Sequence, residues 1–420
     1  MAQDDHVIII GGGFGGISAA KKLRKSNCRV TIIDKTNNHL FQPLLYQVAT
    51  AALSPGDIAE PIRAIFGNDD NIRVILGEVT SVDKENNQLQ LRDGRTYDFN
   101  HLIMAPGAQY NYFGNDDWED YAPGLKTIPD ALKIRERILL SLEKAEELDD
   151  PALREPYLTY VIVGGGPTGV EMAGAIAEIA KRNMMRDYSQ ITENETRVFL
   201  VEAGPRILNG YPQSLSNKAC DTLEDMGVRV LLDTPVTDLS KKRVSFGEGS
   251  IKTPNIIWAA GVAASPLLNT LDTQQDRTGR VHVTNDLSIP GHPNIYVIGD
   301  AAYLEDEHGD PLPALAPVAM QEGRYVGNLI IDNKTKDDRN PFSYTDKGTM
   351  ATIGRAKAVA EIKGLKFTGF FAWLLWSVVH ILFLIGFRNR FKVFVEWVWF
   401  YFTFRRGVRL ITDRHEEEET

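Results

Sequence analysis

The stretch Val7 to Gly16, V-I-I-I-G-G-G-F-G-G, organises the chain. Four consecutive apolar residues read as a parallel strand covered on both faces, the glycines as a tight turn, and Ile17 to Leu23 as the start of a helix. The unpaired N–H groups at such a helix start point at an anion, and a diphosphate is the anion this order of elements accommodates. Gly11, Gly13 and Gly16 take the G-x-G-x-x-G positions, with Phe14 between them. Cys28 to Ile33 reads as the next strand. Asp34 stands at its end, followed by Lys35, where a ribose hydroxyl needs an acceptor. A dinucleotide is implied, its identity left open, and so is an α/β fold.

At 420 residues the chain is expected to hold two or three domains, and its 43% hydrophobic and 24% charged content is that of an ordinary globular protein. The net charge of -10 argues against a nucleic-acid partner. That figure conceals a local excess. Between Gly386 and Arg414, the basic residues Arg388, Arg390, Lys392, Arg405, Arg406, Arg409 and Arg414 face only Glu396 and Asp413, within the most aromatic part of the chain. Such a segment suits an anionic lipid surface. The first strand begins at Val7, which leaves no room for a signal or transit peptide, so the body of the protein is expected in the cytoplasm. Cys28 and Cys220 are the only cysteines, without C-x-x-C spacing, which argues against disulfide frameworks, zinc sites and iron–sulfur clusters; no metal is expected.

After Asp34 the chain reads as a loop and a short helix, cut by Pro43, Pro55 and Pro61 into stiff pieces of the kind that line a cofactor pocket. Ile72 to Val82 and Asn87 to Leu91 read as strands, with Asp93-Gly94 as a hairpin turn. Tyr97 to Met104 reads as a last strand ending in Ala105 to Ala108, A-P-G-A. Gly107 there lets the backbone pass close to a ligand or another segment, or simply makes a turn. Pro129 to Glu147 has helical periodicity. Tyr157 to Val163 is a further strand, and V-G-G-G-P-T-G-V-E repeats the opening theme with Gly164, Gly166, Pro167, Thr168 and Gly169. Val198 to Val201 supplies its partner strand, closed by Glu202 after an extended spacer from Lys181 to Thr196. An acid at that place accepts from a free 2′-hydroxyl and repels a 2′-phosphate, favouring NAD over NADP, with Arg206 keeping the alternative open. Cys220 to Gly227 ends a helix, Val228 to Leu232 is a strand, and Asn255 to Trp258 leads into A-A-G-V around Gly261. The chain then returns to the first domain, where Asn294 to Ile298 ends in Gly299 and Asp300. Asp300 reads either as an acceptor for a ribityl hydroxyl or as a helix N-cap.

In this order, the two glycine loops, the Ala105 turn, the A-A-G segment and I-G-D-A-A resemble the two-dinucleotide-binding flavoproteins, over Met1 to about Gly327. Within that range L-F-Q-P-L-L-Y-Q-V-A-T and the Ala316–Gly323 run, and beyond it Ala351–Arg355, A-T-I-G-R, resemble type II NADH dehydrogenase, the single-subunit, non-proton-pumping NADH:quinone oxidoreductases, nearly to Thr412. The resemblance implies two Rossmann-type domains. FAD is expected in residues 1–113 and 259–340, NADH in 114–258, and an amphipathic membrane-anchoring region in 341–420. It further implies FAD contacts from Gly11, Gly13, Phe14, Gly16, Asp34, Lys35, Ala105, Gly107, Gly299, Asp300 and Ala316. NADH contacts are expected from Gly164, Gly166, Pro167, Thr168, Gly169, Glu171, Glu202 and Gly261. Ala316, Pro317 and Gln321 are expected at the quinone, with Glu171 and Gln321 in catalytic roles. Glu171 also suits a purely structural place, complementing a helix dipole. Where the family often carries A-Q-x-A-x-Q, this chain has Pro317 in place of the first glutamine, so Gln321 alone keeps an amide for a quinone carbonyl.

Hydride transfer between nicotinamide and flavin needs stacking more than an acid or base, and with no cysteine pair for the electrons to enter, a diffusible membrane quinone is the expected acceptor. The 18 residues from Phe370 to Phe387 carry no Lys, Arg, Asp or Glu, the lower limit for spanning a bilayer. Ser377 and His380 interrupt this stretch. The next segment places Phe391, Phe394, Val395, Val398 and Phe402 on one helical face and Lys392, Glu396 and Thr403 on the other. With Trp373, Trp376, Trp397 and Trp399 suited to an interface, an in-plane anchor at the cytoplasmic face is expected over a spanning helix or a homodimer or core surface. Glu416 to Glu419 reads as a solvated tail. A soluble flavin reductase serving a protein or oxygen, and a nucleotide-sensing flavoprotein recruited through its aromatic tail, are the alternatives.

Overall fold

His6–Ile10 is completely covered and pairs in parallel with Arg29–Asp34 on one side and His101–Met104 on the other, as an uninterrupted apolar run requires. The computed structural model describes residues 5–179, 187–192, 194–403 and 408–411. Lys181, Arg405, Arg406, Asp413, Arg414 and the Glu416–Glu419 tail lie outside the described residues. The sheet runs in the order Ser288–Ile289, His292–Val297, His101–Met104, His6–Ile10, Arg29–Asp34, Ile72–Leu76, and only its Ser288–Ile289 edge is antiparallel. The Phe14–Leu23 helix packs on the Ala316–Asp332 helix through glycine: a Cβ at Gly323 would lie 2.3 Å from the Gly15 carbonyl oxygen.

The second glycine loop sits in a sheet of its own, four parallel strands in the order Val228–Leu231, Arg197–Val201, Thr159–Val163, Asn255–Trp258. The Ile128–Glu146 helix is started by a reciprocal cap between Thr127 and Asp130. After Lys347 come the antiparallel strands Thr349–Gly354, Lys357–Ile362 and Leu365–Thr368, then the helices Gly369–Phe383 and Phe387–Thr403.

Two compact units result. One takes the chain up to Leu40, Ala59–Gln109 and Val262–Asp346; the other takes Phe41–Ile58, Tyr110–Gly261 and the chain from Lys347 onward. This division differs from the one expected from the sequence in two respects. Phe41–Ile58 joins the second unit, because Gln47 accepts from Trp397 Nε1 at 2.7 Å and Asp57 pairs with Lys392. The C-terminal region forms no third body, because Gly174 lets the second-loop helix meet the strand at Ile353: a Cβ there would lie 1.6 Å from the Ile353 carbonyl oxygen. Two strand expectations also change. Ile72 to Val82 divides at Gly77, whose N–H turns to the Asp34 carbonyl at 2.9 Å, and Tyr97 to Met104 divides into Thr96–Asp98 and His101–Met104.

Candidate active site

At the first loop the glycines do different jobs. Gly11 has φ 101°, and a Cβ on it would lie 2.1 Å from the Ala105 carbonyl oxygen. At Gly16 the corresponding distance to the Gly11 carbonyl oxygen is 1.9 Å. Gly13, by contrast, faces open space with nothing within 4 Å. Strand, turn and helix therefore close on each other and leave bare backbone at the helix start, a fit for a diphosphate. Asp34 accepts from the Gly12 N–H at 2.5 Å and from the Thr36 N–H and hydroxyl at 2.6 and 2.7 Å. Lys35 beside it is exposed.

His39, which sequence reasoning passed over, is 2% exposed and meets the edge of Phe14 at 5.2 Å. Burial lowers its pKa, so the ring is neutral, and because a carbonyl only accepts, Nδ1–H donates to Gly12 O at 2.9 Å. Gly107 takes φ 72° and Gly299 φ 70°. The Gly299 N–H donates to Glu322 Oε2 at 2.5 Å. Glu322, also missed, is 1% exposed, and burial pushes its carboxyl up to about 8 against the pull of that hydrogen bond. The only hint was an acid at an inward position of the Ala316–Asp332 helix. Ala316 and Pro317 open that helix, where a proline's missing N–H costs nothing. Gln321 does not present a ready amide: Nε2 donates to Thr345 O at 3.0 Å and Oε1 accepts from Thr345 N–H at 3.1 Å.

The second loop repeats the design. Gly164 has φ 109°, with a Cβ excluded 2.6 Å from Ala260 N, Gly169 is closed at 1.8 Å from the Gly164 carbonyl oxygen, and Gly166 is open. Pro167 and Thr168 stand exposed at the helix start. Glu202 accepts from Gly165 N–H at 2.5 Å and from Gly204 N–H at 2.7 Å, the counterpart of Asp34. Arg206, the residue that kept a 2′-phosphate in play, spends its guanidinium on its own loop. It donates to Asn209 Oδ1 at 2.9 Å, Asn209 O at 2.6 Å, and Tyr211 O and Gln213 Oε1 at 3.2 Å. Gly261, at φ 74°, seats against the Phe113 ring. The expected residues thus divide between the units, Gly11 to Lys35, Ala105, Gly107 and Gly299 to Gln321 in the first, Gly164 to Gly261 in the second.

Within the second unit a cleft is walled by the second-loop helix, the Thr349–Gly354 strand, the Tyr46 segment and the two C-terminal helices. Glu171, Glu178, Gln47, Arg355, Trp373, Trp376, Glu396, Trp397 and Tyr401 line it. Crowding by protein atoms pushes the Glu171 carboxyl up to about 8, although a backbone bond from Thr352 pulls the other way. It is neutral at pH 7 and able to donate a proton. The helix-dipole reading of Glu171 alone does not account for its place in a cleft wall.

The C-terminal helices turn one side to this cleft and the other outward. Phe371 and Phe402 are 75% and 76% exposed, and Leu374, Val378, Leu382, Phe391, Phe394, Val395, Val398 and Trp399 accompany them. The tryptophans do not act as one set. Trp399 is outward, whereas Trp376 is 2% exposed, stacked on Trp397 at 5.3 Å and on His380 at 4.1 Å. The stretch read as 18 apolar residues breaks at Gly386, φ 86°, between helices of 15 and 17 residues. Among the described residues no helix is long and apolar enough to cross a membrane.

Residues 347–406 match the NDH2 C-terminal domain, and residues 5–323 match the pyridine nucleotide-disulphide oxidoreductases. A type II NADH:quinone oxidoreductase of Mycobacterium tuberculosis, NdhA, is 44% identical over 97% of this chain and 90% of its own. The chain belongs to the type II NADH:quinone oxidoreductases. The type II enzyme of Staphylococcus haemolyticus is 30% identical over 88% of this chain and 92% of its own. The fold is shared with NDH2 from Plasmodium falciparum, solved in complex with NADH, at TM-score 0.88 and 23% identity over 97% of this chain and 100% of that one. Unlike what the wider family's name implies, this type II enzyme has no disulfide to use: Cys28 and Cys220 are not joined.

Proposed function

We propose that the enzyme holds FAD on the first loop and NADH on the second, and passes electrons to a quinone drawn from a membrane, without pumping protons. When bound, FAD accepts a hydride from the nicotinamide and returns two electrons to the quinone. In this reading Gly11, Gly13, Phe14 and Gly16 cradle the flavin diphosphate, Asp34 and Lys35 the adenosine end, and Ala105, Gly107, Gly299, Asp300 and Ala316 the rest. Gly164, Gly166, Pro167, Thr168 and Gly169 cradle the NADH diphosphate, Glu202 takes a ribose hydroxyl, and Gly261 shapes the approach. Arg206, occupied by its own loop, supports NADH over NADPH.

The observation that carries the acceptor half is the cleft. It puts Glu171, a carboxyl neutral at pH 7, in one wall with the inward faces of helices whose outward faces are bare aromatic surface. An apolar molecule leaving a bilayer meets those helices first, and Glu171 has a proton to deliver. In the first unit, Pro317 and Gln321 remain proposed quinone contacts, with the Gln321 amide available to a carbonyl once it gives up Thr345. The helices lie in the plane of an anionic membrane surface on the cytoplasmic side, with exposed Arg388 toward headgroups. The 15-residue helix rises only about 22 Å, short of the roughly 30 Å core.

Single-turnover measurements on enzyme in liposomes test this. NADH should reduce the flavin without quinone, and quinone should reoxidise it. In Glu171→Gln the reoxidation rate should lose its change near pH 8, and a loss confined instead to NADH-driven reduction would return Glu171 to the nicotinamide side that the family resemblance implies. Reoxidation by quinone no faster than by dissolved oxygen would sink the proposal.

A further inference from the structure

Arg355 occupies the turn between the Thr349–Gly354 and Lys357–Ile362 strands and makes contacts on both sides of the cleft. Its backbone N–H donates to Glu178 Oε1, in the last turn of the helix that carries Glu171. Its Nη1 donates to the Tyr401 carbonyl, and its guanidinium lies 4.9 Å from the centre of the Tyr401 ring. Tyr401 in turn stacks on Trp373 at 5.6 Å and 29°.

The seat of this turn is tight. A Cβ at Gly354 would fall 2.8 Å from Glu178 Oε1, so the turn rests on that carboxylate. Tyr401 lies on the Phe387–Thr403 helix, and its carbonyl accepts from a charged donor. Arg355 reaches both the carbonyl and the ring of Tyr401 with one planar group, and stacking holds it in register. Among the described residues lining the cleft it is the one base, set against Glu171, Glu178 and Glu396.

We propose that Arg355 is a positioning residue for the acceptor half of the reaction. It pins Tyr401 to the wall bearing Glu171 and so holds the Trp373–Tyr401 ring pair at the cleft. This rests on the cleft being the acceptor site.

The full-length, FAD-loaded enzyme in liposomes is the material to test, with Arg355→Ala and Arg355→Lys. Flavin reduction by NADH should stay within about twofold of the parent in both. In Arg355→Ala the KM for a short-chain quinone should rise by about tenfold and reoxidation should slow similarly. Arg355→Lys should fall between, since lysine supplies one donor to the Tyr401 carbonyl but no planar stack. Equal losses in both half-reactions, or Arg355→Ala with parental quinone kinetics, would overturn the proposal. Ala52→Trp, which fills the cleft, separates the two ideas. A normal quinone KM there removes the cleft as acceptor site and the proposal with it, whereas a raised KM beside parental Arg355→Ala removes only the role of Arg355.

Discussion

Replacing Glu322 by Gln should stabilise the protein at neutral pH, by an amount that grows with pH. Glu322 is 1% exposed and its carboxyl sits at about 8 rather than the ordinary 4.5, because burial penalises the charge. Below about pH 4.5 the acid is protonated in both folded and unfolded chains and contributes no slope. Between there and about pH 8 only the folded chain keeps the proton, so stability falls as pH rises; above about 8 the penalty is constant. At pH 7 the penalty amounts to roughly 3 kcal/mol as an upper bound, from about 1.4 kcal/mol per pH unit. Glutamine escapes it while its carbonyl still accepts from the Gly299 N–H. Denaturant unfolding of the FAD-saturated parent and variant at about pH 5.5, 7 and 8.5 reads the gap directly. A gap that is constant across that range, or that favours the parent at the alkaline end, would refute the reasoning. Glu322→Ala is the contrast. It strands the Gly299 N–H and costs about 1–3 kcal/mol for that group alone, and if Asp300 holds flavin as proposed, flavin should loosen too.

Three further outcomes are expected. Glu202→Ala should narrow the preference for NADH over NADPH by about tenfold in kcat/KM, chiefly because the repulsion of a 2′-phosphate is gone; an unchanged ratio would return Glu202 to a merely structural partner of Gly165 and Gly204. Phe371→Glu with Phe402→Glu, on the outward face, should release the enzyme from anionic vesicles in a sedimentation assay with flavin retained, since each phenyl buried in lipid is worth about 1.5–3 kcal/mol. These surface changes are cleaner than deleting the segment from Phe367, which would strip cover from Gln47 and Asp57. Gly174→Ala should lower the thermal midpoint markedly, by pushing the second-loop helix off the Ile353 carbonyl.

The parts of this protein legible in its sequence are those dictated by local rules. Gly16 and Gly169 are demanded by backbone contacts within a single strand–turn–helix, and Gly11 and Gly164 by the positive φ of the same turn, so the spacing alone exposes them, although Ala105 and Ala260, which close on Gly11 and Gly164, come from distant segments. Asp34 and Glu202 follow at strand ends for the same reason. The outward face of the last helix, Phe391, Phe394, Val395, Val398 and Phe402, was visible as a period of 3.6 residues and is bare in the structure.

What the chain could not disclose in one dimension is set by contacts between segments far apart in it. His39 and Glu322 look like ordinary polar residues until burial shows them bonded to Gly12 and Gly299 respectively. Trp376 and Trp397 looked like interface residues, yet stacking and the Gln47 bond turn them inward. Phe41–Ile58 leaves the unit its sequence position implies because its partners, Lys392 and Trp397, arrive more than three hundred residues later. Periodicity and glycine spacing report the backbone's own steric needs, which are local. A cleft is made by surfaces that meet only after the chain has folded, and its chemistry, the raised acid at Glu171 above all, comes from the protein atoms that this meeting crowds around the carboxyl.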